Sequence, residues 1–184
     1  MTVRVTLVRH GRPAGAWGDD PDPGLDAVGH AEAAAVAHVL GPIGPQPVVV
    51  SPLRRTLETA RPLAEAWGVR PVVEPAVGEL PAPLDPRPDA RTWLRTLMAG
   101  RGADHAAVMT PFRARVLGAI RALREDTVVV SHFLAINAVV GAALGDDRVV
   151  CCSPVHCSVT TVTVDGDALS VVAYPTDGPT DVRL

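Results

Sequence analysis

The sequence predicts an α/β fold: a three-layer α/β/α sandwich with a mostly parallel central sheet and a C-terminal antiparallel hairpin. Three observations carry that expectation. Short apolar strand segments alternate with helical ones from residue 3 to residue 144. Three of the strand segments end in polar residues able to do chemistry, the arrangement found where parallel strands open on a ligand. The last two strand segments flank Asp165-Gly166-Asp167, a short turn between alternating runs.

The first strand begins at Val3, where Val3, Val5 and Leu7 alternate with Arg4 and Thr6 before Arg9, His10 and Gly11. Gly11, lacking a β-carbon, would let a ligand approach the backbone. Residues 11–24 are rich in Gly, Pro and Asp and form a loop. Asp26 reads as an N-cap for an alanine-rich helix over Ala27–Leu40, stopped by Gly41 and Pro42. Pro47–Val50 is a second strand ending at Ser51. A helix from about Leu53 to Trp67 carries Leu53, Leu57, Ala60, Ala64 and Trp67 at helical spacing; Pro62 should kink or divide it, and Gly68 should close it.

Arg70–Val73 reads as a third strand. Residues 75–90 hold Pro75, Pro81, Pro83, Pro86 and Pro88 and form a long, shaped loop. Helices are expected over about Ala90–Met98 and Pro111–Leu123, the latter with Phe112, Val116, Leu117, Ile120 and Leu123 on one face. Thr127–Val130 is the fourth strand, running into Ser131 and His132. Leu134–Leu144 is apolar nearly all round and should be a buried helix. Ser158–Val164 and Ala168–Tyr174 make the hairpin. A single catalytic domain over residues 1–175 and a mobile tail over 176–184 complete the expected organisation.

The chain has 184 residues, 47% apolar and 20% charged, with a net charge of −3. Those values fit a globular domain and give no reason to expect nucleic acid or an anionic membrane as partner. No signal peptide or membrane span is indicated, and the three cysteines (Cys151, Cys152 and Cys157) make no disulfide framework, so a reducing cytoplasm is the expected compartment. Those cysteines with His156 match no common zinc-ligand spacing, and no metal is expected there. All 17 cations are arginine, so any anion site must be built from guanidinium groups.

Parallel strands would bring Arg9 and His10, then Ser51 with Arg54 and Arg55, then Ser131 and His132 to one sheet edge. Two imidazoles and a pair of guanidiniums gathered in a net acidic chain point to an anion, and arginine geometry points to phosphate. Arg54 is more simply a solvated helix residue.

Leu-Val-Arg-His-Gly at 7–11 resembles the signature of the histidine phosphatase superfamily, the phosphoglycerate mutase-like fold. Ser-Pro-Leu-Arg-Arg-Thr-Leu-Glu-Thr-Ala at 51–60 resembles its second motif and Val-Ser-His at 130–132 its third. Leu25–Ala33, with Gly29, is similar to its first-helix pattern, though Glu32 stands where Gln is more usual. The resemblance implies a phosphatase in which His10 is the nucleophile and Arg9, Arg55 and His132 hold the phosphoryl oxygens. Arg12 and Ser51 are further candidates for binding that phosphate. It implies that Glu79 is the proton donor, with Glu74 and Asp85 in the same region as alternatives, and that no metal or cofactor is required. The helix after His132 would offer backbone N–H groups to the anion.

Two residues depart from the family pattern. Arg12 stands where Glu or Gln is common, either reading a second negative group on the substrate or facing solvent. Phe133 replaces a glycine, either narrowing the pocket mouth or packing into the core. His30, His38 and His105 are expected to have no role. The alternatives are a phosphoglycerate mutase, with Arg87, Arg91 and Arg95 as extra basic residues, a phosphate-binding module without turnover, and a structural interaction domain. The expected partner is a small phosphorylated substrate.

Overall fold

The computed structural model describes residues 1–15, 20–81 and 90–174. In chain order the main elements are β1 (Val3–Arg9), α1 (Ala27–Leu40), β2 (Val48–Val50), α2 (Arg54–Trp67), β3 (Val72–Val73), α3 (Ala90–Ala99), α4 (Ala106–Ala122), β4 (Thr127–Ser131), α5 (Phe133–Leu144), β5 (Val159–Asp165) and β6 (Ala168–Ala173). The sheet order is β3-β2-β4-β1-β5-β6. The first four in that order run parallel, and β5 and β6 are antiparallel additions beside β1.

Strand side chains point alternately to opposite faces, which sorts the core into two halves. Val5, Leu7, Val49 and Val129 pack with Phe112, Val116 and Ile120 of α4 and with the apolar body of α5. Val8, Val48, Val50, Val128 and Val130 pack instead with Val36, Ala37 and Leu40 of α1 and with Ala60 and Leu63 of α2. Covering both faces is why the central strands are almost pure valine.

Most elements lie where the residue pattern puts them. Asp26 accepts from the Gly29 N–H at 2.8 Å and caps α1, while Gly68 closes α2 with a φ of 66°. Pairing Asp165 with Ala168 leaves Gly166-Asp167 as a two-residue turn with Gly166 at a φ of 59°, a turn that matches the twist of a hairpin.

Proline accounts for the differences. Pro62 does not divide α2, which runs on to Trp67, because Ala60 and Leu63 on either side of it are buried against the sheet. Likewise Pro111 does not start a helix. α4 begins at Ala106, since burial of Met109 holds the preceding turn on the core. Pro47 accepts a bond from the Val128 N–H at 3.0 Å but has no N–H to give, and β2 starts after it. The third strand is shorter than expected, reduced to Val72 and Val73 at the exposed edge. Asp85 and Arg87 of the proline-rich loop, and the tail after Tyr174, lie outside the described residues.

Candidate active site

β2, β4 and β1 are adjacent and parallel, with Arg9 level with Ser131 and Val50 level with Val130. Their ends therefore deliver His10, His132 and Ser51 to one edge. The backbone ladder continues one residue past the strands, with the His10 N–H donating to Ser131 O at 3.0 Å and the Ser51 N–H to Val130 O at 3.3 Å. That anchorage sets the two imidazole centroids 5.2 Å apart with their planes tilted by 57°.

The rings are held differently. His10 Nδ1 lies 2.8 Å from Gly11 O, and since a carbonyl can only accept, Nδ1 carries the hydrogen and Nε2 the lone pair. His132 Nε2 lies 2.7 Å from Ser51 Oγ, which in turn is 2.8 Å from Thr56 Oγ1. Its Nδ1 is buried and makes no hydrogen bond among the described residues. Burial pushes the pKa of both rings well below the usual imidazole value. His132, Arg55 and Arg9 push further on His10, and Arg55, Arg9 and Arg115 push further on His132. Both rings are neutral at neutral pH.

Arg9 is 4% exposed. Its Nη1 donates to Pro154 O at 2.8 Å and its guanidinium lies 5.2 Å from the centre of the Phe133 ring. Phe133 is buried in the core and supplies a flat support for that cation. Arg55, half-buried in the first turn of α2, has its pKa drawn down by burial, against which Glu79 and Asp22 hold it up. Arg54 beside it is exposed and pairs with Glu58 at 3.5 Å.

Glu79 sits across from these cations. Its Oε1 accepts from the Leu80 N–H at 2.9 Å and its Oε2 from the Leu134 N–H at 3.2 Å. The start of α5 thus gives a donor to this carboxylate. Burial raises the pKa of Glu79, with those two N–H groups, Arg55 and Arg9 opposing. The segment is fixed from both sides: Ser131 Oγ donates to Val77 O at 2.6 Å, and Arg115 Nη2 reaches Gly78 O at 3.3 Å and Glu79 O at 3.4 Å. Glu74 instead caps its own turn through the Ala76 N–H at 2.8 Å.

Other candidates turn to partners within the chain or to solvent. Arg12 neither faces solvent freely nor points its Nε at a ligand, because that atom bonds Asp26 Oδ2 at 2.6 Å. Glu32, the departure from the family's Gln, accepts the Arg12 N–H at 2.7 Å. The space beside Gly11 is taken by α1: a β-carbon there would lie 2.7 Å from Gly29 O. Ser51 is fully buried, with its hydroxyl turned to His132 and Thr56. His30, His38 and Arg95 are exposed, and the side chains of Arg87 and Arg91 lie outside the described residues.

Residues 5–177 match the model of the histidine phosphatase superfamily, branch 1. The chain belongs to that superfamily. Over 88 residues it is 39% identical to the PE-PGRS family protein PE_PGRS11 of Mycobacterium tuberculosis, a stretch covering 45% of this chain but only 15% of that protein. Solved structures share the fold. A mycobacterial glucosyl-3-phosphoglycerate phosphatase complexed with VO3 superposes with a TM-score of 0.71 at 21% identity, covering 94% of this chain and 98% of that one. For a putative alpha-ribazole-5'-P phosphatase from Escherichia coli the TM-score is 0.74 at 15% identity, with 95% and 96% covered. A phosphoserine phosphatase mutant from Entamoeba histolytica bound to phosphoserine gives 0.71 at 18% identity, with 99% and 100% covered.

For this member of the histidine phosphatase superfamily, motif reading missed three neighbours of the cluster. Thr59 Oγ1 accepts the Gly11 N–H at 2.9 Å and so ties the first motif to the second. Arg115 acts on Glu79 through backbone carbonyls, a link that only the helix-to-loop packing reveals. His156 brings a third imidazole to 5.7 Å from His10; the sequence hides it among cysteines. Among the described residues no helix is long and apolar enough to cross a membrane.

Proposed function

We propose that the protein is a metal-independent phosphomonoester hydrolase working through a phosphohistidine on His10. One observation carries this reading: a neutral imidazole, with Nε2 holding its lone pair, lies 5.2 Å from a second buried imidazole and follows a buried arginine directly. Neutrality is what a nitrogen nucleophile needs, and burial beside cations maintains it.

Nε2 attacks phosphorus in line, forming the P–N bond as the ester P–O bond breaks. Arg9 and Arg55 balance the charge on the equatorial oxygens. His132 joins them as a donor. Thr56 Oγ1 gives its hydrogen to Leu53 O at 2.7 Å and Ser51 O at 3.0 Å, so Ser51 donates to Thr56 and accepts the Nε2–H of His132, and Nδ1 donates to a phosphoryl oxygen once it takes up the proton of a monoanionic ester. Ser51 is thus a positioning residue. Protonated Glu79 gives its proton to the leaving alkoxide. A water then attacks phosphorus, its proton passes to Glu79, the P–N bond breaks and His10 returns to its neutral form. The substrate is a small phosphorylated molecule.

The decisive assay is hydrolysis of an aryl phosphate in excess chelator. Release of phosphate, with product unchanged by the chelator, is expected; activity only with added divalent metal rejects the reading. Isomerised phosphoglycerate in place of free phosphate would identify a mutase.

A further inference from the structure

We propose that His156 is a third imidazole of the anion site, donating a hydrogen bond to a non-bridging oxygen of the phosphoryl group held at His10. The inference rests on the hydrolase reading above for the identity of that group. Its ring centroid lies 5.7 Å from that of His10, close to the 5.2 Å between His10 and His132. His10 thus has two imidazole neighbours at nearly equal ring-centroid distance. An imidazole carries an N–H donor in either neutral tautomer, the kind of group an oxyanion needs.

The segment bearing His156 is built onto Arg9. Arg9 Nη1 donates to Pro154 O at 2.8 Å, the Cys157 N–H donates to Arg9 O at 3.0 Å, and the Arg9 N–H donates to Ser158 O at 3.2 Å. A further bond from the Ser158 N–H to Val155 O at 3.1 Å closes the turn. These contacts bracket His156 on both sides and fix it relative to the residue next to His10. Cys157 has a φ of 53° and is the only non-glycine among the described residues in the left-handed region. That conformation is unfavourable for a residue with a β-carbon, and it persists because the bonds to Arg9 over-determine the turn. His156 is half-buried while His10 and His132 are buried, which puts it on the solvent side of the cluster.

The test is a titration of the full chain with inorganic phosphate, following the imidazole nitrogens by NMR. It is paired with phosphate inhibition constants for wild type, His156→Ala and His156→Gln, measured on an aryl phosphate and on a carboxylate-bearing alkyl phosphate. The His156 ring nitrogens are expected to shift in step with those of His132. His156→Ala should weaken inhibition by phosphate roughly tenfold to a hundredfold, and His156→Gln, which keeps an N–H donor, should recover most of it. An unmoved His156 ring, or phosphate affinity unchanged in a folded His156→Ala, overturns the proposal. So does an unchanged phosphate constant with a KM rise confined to the carboxylate-bearing ester, which would place His156 on the leaving group. If the alanine variant does not fold, the wild-type ring shift decides. Wild type that binds phosphate through His156 but hydrolyses neither ester would refute the hydrolase reading and leave this one standing.

Discussion

His10 and Glu79 are displaced in opposite directions by the same burial: the imidazole downward because its charged form is the cation, the carboxyl upward because its charged form is the anion. A base kept free of its proton and an acid that keeps its own give a bell-shaped kcat/KM. Activity falls at low pH as His10 protonates below its ordinary value, and at high pH as Glu79 ionises above its ordinary value. Glu79→Gln should slow alkyl phosphate hydrolysis by about 10²- to 10⁴-fold, and p-nitrophenyl phosphate much less, since that leaving group needs little protonation. It should also remove the high-pH limb. Stability follows by linkage. For His10 and His132 the unfolded chain binds protons that the buried rings refuse, so stability is full above the unfolded pKa of about 6.5 and declines as pH drops below it. A melting series from pH 7 to 5 should show that decline, with a shallower slope in His10→Asn. Glu79 works the other way. Its native pKa is raised, so the folded state loses stability as pH rises through that value, and Glu79→Gln should melt higher than wild type at neutral pH but not at low pH.

At the scale of elements, two contacts join helices to the site. Gly29 of α1 meets the backbone of Arg12 so closely that an added β-carbon would overlap Arg12 O. In an exposed helix Gly→Ala gains up to about 1 kcal/mol. Here Gly29→Ala should reverse that sign and lose about 2 kcal/mol or more in chemical denaturation, because backbone has to move. In α5, buried Asn137 accepts from the Cys151 N–H at 2.7 Å and the Cys152 N–H at 2.9 Å, anchoring the segment that leads to Pro154 and His156. Asn137→Ala should cost about 2–3 kcal/mol by stranding both donors. The strands and the α1 cap were legible because alternation, Asp26 and Gly68 act locally. Pro62 does not divide its helix and Pro111 does not start one because a local preference meets tertiary packing: buried neighbours hold the helix on through the missing N–H. Phe133 could not be assigned from sequence, since its partner, Arg9, lies far away in the chain.

At the scale of the whole molecule, the sheet order decides which strand ends meet. The β2-β4-β1 neighbourhood follows from element order and chemistry, which is why His10, His132, Arg9 and Arg55 could be grouped from their motifs. Arg12, Arg115 and His156 could not be sorted that way. Their partners are a helix cap, a loop carbonyl and a turn after the last helix, contacts with no sequence period. If these groups share one oxyanion, phosphate should stabilise the fold by mass action, about 2.7 kcal/mol at a hundred times its dissociation constant. His132→Ala should reduce that gain. The most direct measurement of the central claim is mass spectrometry of peptides from protein quenched in alkali during turnover of an aryl phosphate. The account predicts one added phosphoryl group on the peptide holding His10, absent from His10→Ala. Hydrolysis proceeding at full rate in His10→Ala, or a phosphoryl group found on another residue, would contradict it.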